Sequence, residues 1–186
     1  MSNSLYFLRH AETKIELSIP VREWSITNEG ILLTRELAKS DQLSAIDGII
    51  HSSEPKARQT AEIFAEGLDI QMYQISGFDE LSREHEGKLT NEEYRDRVRR
   101  TLTNLEENVI GWESGADALK RFEDAVKKID IMFHQKNILI VTHGIVLILY
   151  FSKLKGLLSI AFERWSQLEF LAWGLVRDGC VLVDIV

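Results

Sequence analysis

The chain has 186 residues, 45% of them hydrophobic and 27% charged, and a formal net charge of −7. These values fit one soluble globular domain, residues 1–186, with its own core, and they argue against a disordered or fibrous chain. The acidic balance offers no basic face for a nucleic-acid backbone or an anionic membrane surface, so neither is an expected partner.

The first run, "SLYFLRHAET" at 4–13, is an apolar strand that ends abruptly in Arg9 and His10. Its start lacks a basic segment followed by a long apolar one, so a secretory leader is not expected. "TNEGILLTRELAKS" (27–40) combines a Thr27 N-cap signal with apolar positions at helical spacing. "IDGIIHSS" (46–53) is a β-branched run ending in two serines, and "EPKARQTAEIFAEG" (54–67) follows as a helix with Pro55 at its start and Gly67 as its stop. "DIQMYQI" (69–75) alternates as a third strand, and residues 76–90 form a loop over a site.

Helices are predicted over Asn91–Asn108 and Ser114–Gln135. "NILIVTHG" (137–144) repeats the opening theme, a strand ending in a hydroxyl and a histidine. No element is assigned over 145–169, although "GIVLILYF" (144–151) is the longest kind of apolar run present and falls far short of the roughly 18 residues that span a bilayer. Residues 170–186 read as two strands in a hairpin around Arg177-Asp178-Gly179. The single Cys180 lies in this run and reads as a small core residue, in keeping with a reducing, cytoplasmic setting. Strands alternating with helices imply an α/β fold, a three-layer sandwich whose mostly parallel central sheet is flanked by helices.

Three predicted strand ends carry polar residues: Arg9-His10, Ser52-Ser53 and Thr142-His143. Open α/β sheets bind ligands outside the carboxyl ends of their strands, so one pocket can hold all three. Taken singly, Arg9 and His10 also fit an ion pair with Glu12, His143 a satisfied core histidine, and Arg58 a solvated helix residue. Their joint occurrence favours the pocket.

"LRHAET" resembles the R-H-G-E-T signature of the histidine phosphatase superfamily, which includes the phosphoglycerate mutases. "SSEPKARQTAEIFA" resembles that family's second motif with its arginine, and "VTHG" its closing histidine motif. The resemblance implies a phosphoglycerate mutase-like fold and a metal-independent phosphomonoester hydrolase, a histidine acid-type phosphatase working through a phosphohistidine on a small phosphorylated metabolite, with no cofactor. It assigns His10 as nucleophile, Arg9 and Arg58 as the phosphate clamp and His143 as a donor to the transferred group. The chemistry agrees: planar guanidinium forks suit phosphate oxygens, and a neutral imidazole nitrogen is a competent nucleophile. Phosphoglycerate mutase-type transfer and a phosphate-binding pseudoenzyme are the alternatives. His51, His85 and His134 show no spacing that suits a metal.

A proton donor for the leaving alkoxide is also required. The family pattern L-R-E-x-x-x-G, aligned on Leu81 and Gly87, puts Arg83 where the acid belongs. A second pattern, L-x-E-H-x-R, resembles Glu84-His85, which makes Glu84 the expected donor and Glu80 the alternative. Ala11 stands where the family has glycine, and Lys14 and Ile15 follow Thr13 where relatives carry asparagine. Thr13, Lys14 and Gly144 are therefore expected at the substrate, and Glu113 behind the pocket, orienting one of its arginines or histidines.

Overall fold

A computed structural model describes residues 2–186 apart from 17, 44, 84–88 and 110. Six strands form one sheet: β1 (Ser4–Arg9), β2 (Gly48–His51), β3 (Met72–Gln74), β4 (Asn137–Thr142), β5 (Trp173–Arg177) and β6 (Cys180–Val183). Their order is β3-β2-β4-β1-β5-β6. The first four in that order run parallel, and β5 and β6 are antiparallel additions beside β1. This is the expected three-layer arrangement with a mostly parallel sheet.

Side chains along the central strands alternate between two cores, as the period of two requires. Phe7, Ile50, Ile138 and Ile140 face one, where α4 (Gly115–Met132) supplies Phe122 and Ala125 and α5 (Gly144–Lys155) supplies Leu147 and Ile148. Leu8, Ile49, Leu139 and Val141 face the other, where α2 (Pro55–Leu68) supplies Ala57, Ala61 and Phe64. Every residue of α5 from Gly144 to Ser152 is buried. A helix surrounded by protein has no polar face to write a 3.6-residue period, which is why this run carries no helix signature.

The other helices differ from the sequence reading mainly at their ends. Thr27 caps α1 (Asn28–Ala38) as expected, its side chain accepting from the Gly30 N–H. Gly67 lies inside α2, and Asp69 takes the left-handed closing position with φ 54°. Thr90 and Glu93 form a capping box for α3 (Asn91–Thr103), which stops five residues short of Asn108. The third strand shrinks to Met72–Gln74. Asp178 and Gly179, both at positive φ, make the predicted turn between β5 and β6. Cys180 on β6 is exposed, not part of the core, because β6 is the sheet edge and most of its length faces outward. Among the described residues, no helix is long and apolar enough to cross a membrane.

Candidate active site

The register of the sheet sets the site. Arg9 pairs across from Thr142 on β4, and His51 on β2 pairs across from Val141. The residues that follow each strand therefore emerge side by side: His10, His143, and Ser52 with Ser53. The His10 and His143 rings lie 5.1 Å apart, centre to centre, and both side chains are buried.

A hydrogen bond fixes where the His10 proton is. His10 Nδ1 lies 2.8 Å from the Ala11 carbonyl oxygen, which can only accept. Nδ1 carries the proton, and Nε2 keeps a bare lone pair. His143 Nε2 lies 2.6 Å from Ser52 Oγ, and that oxygen already accepts from the Glu54 N–H at 3.2 Å. The serine hydroxyl can donate to Nε2 or, through its second lone pair, accept from it, so this contact pins the ring without setting its tautomer. The Nδ1 of His143, and the Nε of Arg9, are buried without a hydrogen-bond partner among the described residues.

Burial is the main cause that keeps both imidazoles neutral. It pushes His10 well below the ordinary value of 6.5, and His143, Lys56 and Arg9 add to the effect. His143 is lowered in the same sense, first by burial and then by Lys56, Arg83, Arg9 and Arg121. The unfolded chain binds protons at these two residues near pH 6.5, and the folded chain binds them only at lower pH. Stability is therefore full above about 6.5 and falls on acidification below it. Urea midpoints measured from pH 7.5 to 5 should show this loss, and His10→Asn should reduce its slope; an identical slope in the variant would contradict the assignment.

Two cations and two carboxylates complete the cluster. Gly144 opens α5 beside Arg9: a Cβ there would lie 3.3 Å from Arg9 Nε, so glycine gives the guanidinium its room. Lys56 Nζ donates to the Glu54 carboxylate and to the Val21 carbonyl at 2.9 Å. Burial lowers Lys56 from its ordinary value, and Glu54 opposes that. Glu54 Oε1 accepts from the Glu80 N–H at 3.0 Å and lies 3.7 Å from His143 Nε2. Glu80 is buried and caps α5, accepting from the N–H groups of Ile145 at 3.1 Å and Val146 at 3.3 Å. Its carboxylate thus sits at the positive end of the helix that follows His143.

The structure does not bring Arg58 to this cluster. Arg58 lies on the outer face of α2, half exposed and paired with Glu62 at 3.0 Å, and Lys56 takes the inward place. Two residues along a helix is a rotation of about 200°, so both cannot face the pocket. The apolar stripe Ala57, Ala61, Phe64 does not rank the two, since Lys56 and Arg58 lie about 100° to either side of it; the burial of Lys56 and Thr60 in the fold does. Glu54 was missed as well; its place just before Pro55 at the helix start hides it among ordinary capping residues.

Lys14 is also placed away, mostly exposed and paired with Glu16. Thr13 forms a backbone bridge with Ile26 at the edge of the same loop. Glu12 accepts from the Thr27 hydroxyl at 2.9 Å. Ala11, in the family's glycine position, is buried and donates its N–H to Thr60 Oγ1 at 3.0 Å. Gly30 makes space for it: a Cβ on Gly30 would stand 3.2 Å from the Ala11 Cβ. Glu84 lies outside the described residues.

Glu113 acts through Arg121. It accepts from Arg121 Nε at 3.0 Å and Nη2 at 2.8 Å, and from the Ser82 N–H at 3.1 Å. Arg121 Nη1 in turn donates to the carbonyls of Gly77 and Asp79, each at 3.0 Å. Asp79 meanwhile accepts from the Ser53 N–H and hydroxyl, both at 2.6 Å. The segment 76–82, with Glu80 in it, is thus held from α4 on one side and from the end of β2 on the other.

Residues 5–174 match the family model described as histidine phosphatase superfamily (branch 1). No curated protein matches the chain. Among solved structures, Bacillus stearothermophilus YhfR is 24% identical with a TM-score of 0.77, covering 98% of this chain and 95% of that one. A mutant phosphoserine phosphatase from Entamoeba histolytica in complex with phosphoserine is 21% identical with a TM-score of 0.76, covering 97% and 94%. A putative alpha-ribazole-5'-P phosphatase from Escherichia coli is 16% identical with a TM-score of 0.74, covering 98% and 95%. At these identities the likeness is one of fold.

Proposed function

We propose that this chain, which belongs to branch 1 of the histidine phosphatase superfamily, is a phosphomonoester hydrolase that passes the phosphoryl group through His10. One observation carries the reading: the bare nitrogen of His10 belongs to a ring 5.1 Å from that of His143, in a cluster where the buried Arg9 Nε–H and His143 Nδ1 lack partners among the described residues. An unpaired buried donor is costly, and a phosphate oxygen relieves that cost at Arg9 Nε–H.

The geometry supports the following steps. His10 Nε2 attacks phosphorus, the P–O ester bond breaks, and its electron pair leaves with the alkoxide. Glu80 relays a proton to that oxygen, and the alcohol departs. Water then attacks the phosphohistidine, Glu80 takes its proton, and inorganic phosphate leaves with His10 neutral again. Arg9, Lys56 and His143 stabilise the charge on the equatorial oxygens in both steps. Glu80 is assigned this role because it is the buried carboxylate of segment 76–82, and the hydrogen bond of Lys56 goes to Glu54 instead.

The reading is tested by phosphate release from phenyl phosphate with chelator present. Release at an unchanged rate after chelation is expected. Tight binding of phosphate and vanadate without release from a broad panel of monoesters would replace the hydrolase with a pseudoenzyme.

A further inference from the structure

We infer that Phe170 selects the leaving group, and that the esters accepted here carry an aromatic or apolar alcohol. The inference rests on the phosphatase reading above and narrows its substrate class.

Phe170 is 39% exposed, yet its ring contacts are with the site. The Arg9 guanidinium lies over the ring, 4.2 Å from its centre, and the His10 ring is 5.7 Å away. The turn that carries it is gripped at both ends by one residue: Arg9 Nη1 donates to the Leu168 carbonyl at 2.5 Å, and the Arg9 N–H donates to the Ala172 carbonyl at 2.9 Å. Between them Leu171 sits at φ 60°, in the left-handed region that residues with a branched side chain rarely adopt. Backbone held in that region persists only where its surroundings impose it. The residue expected to hold phosphate therefore also fixes an aromatic ring against the nucleophile.

With its centre 5.7 Å from that of the His10 ring and part of its surface open, Phe170 is near enough to meet the organic group of an ester whose phosphorus is attacked by His10. A polyol placed there would bring hydroxyls against a surface that cannot hydrogen-bond to them. An aryl or alkyl group would bury apolar area, and an aryl group would add the preference of aromatic pairs for tilted or offset contact.

Phosphonates test this without turnover. Calorimetry would give the affinities of inorganic phosphate, methylphosphonate and phenylphosphonate for the wild-type chain, Phe170→Ser and Phe170→Tyr. A phenyl-to-methyl preference of about tenfold is expected in the wild type, from area burial together with an aromatic pair. It should collapse to within about twofold in Phe170→Ser and return in Phe170→Tyr, which keeps the ring. No preference in the wild type, or one that survives in Phe170→Ser, would overturn the inference while phosphate binding upholds the site. A serine variant that weakens both phosphonates equally would make the ring a shield for Arg9 and His10, which also overturns it. Failure of phosphate itself to bind would remove the hydrolase reading and this inference together.

Discussion

His10→Ala is expected to lower kcat/KM for phenyl phosphate on the order of 10⁴-fold or more, the scale on which covalent hydrolases lose rate with their nucleophile. The chain has a second imidazole 5.1 Å away, but it cannot substitute. His143 Nε2 is held by Ser52 Oγ, and the His143 ring is fully buried, whereas His10 keeps a bare Nε2. His143→Ala should cost less, on the order of 10²- to 10³-fold, as loss of one transition-state donor does. The order of the two variants is the informative result. Equal losses would mean that the imidazoles share one role, and a larger loss at His143 would reverse the assignment.

Lys56→Met should lower kcat/KM on the order of 10²- to 10³-fold, whereas Arg58→Ala should leave it within about twofold. Lys56 is buried beside both histidines, and its ammonium is tethered by Glu54 and the Val21 carbonyl. Arg58 is half exposed and pairs with Glu62, an arrangement worth a few tenths of a kcal/mol to the helix. Lys56→Met also leaves Glu54 as a buried carboxylate without its cation, which is destabilising. Lys56→Arg therefore serves as the control for folding: it keeps the charge and offers a fork in place of a point charge. Recovery of most of the rate in Lys56→Arg, with Arg58→Ala active, would support the pocket described here. A silent Lys56→Met and an inactive Arg58→Ala would support the clamp expected from the sequence motif instead.

That exchange illustrates how far the sequence was readable. Arg9-His10 and Thr142-His143 were legible because each ends a run of continuous apolar residues, the mark of a strand buried on both faces. Their neighbourhood in space followed from a rule of α/β sheets, and the parallel pairing of β1 with β4 realises it. Arg58 is the only arginine of its motif segment, but helical phase does not separate it from Lys56: both lie about 100° from the apolar stripe, and only the packing of α2, which buries Lys56 and Thr60, turns Arg58 outward.

Other features depended on tertiary context alone. The helix α5 was invisible to periodicity since its surroundings are apolar on all sides. Cys180 looked like a core residue because its run is apolar, but a sheet-edge strand leaves such side chains exposed. The tolerance of alanine at position 11 depends on Gly30, nineteen residues away in sequence and adjacent only after folding. Glu80 and Glu84 could not be ranked from spacing, because what singles out Glu80 is its contact with the start of α5, sixty-five residues on.

The claim on which everything else depends is a covalent phosphoryl intermediate on His10. Its most direct test is the stereochemical course at phosphorus, followed with a phosphorothioate monoester made chiral by an oxygen isotope and hydrolysed in water labelled with another. Each in-line displacement inverts phosphorus, so transfer to His10 and then to water predicts overall retention. Inversion would mean that water attacks the ester directly, and His10 would then have to be reassigned as a base or a binding residue.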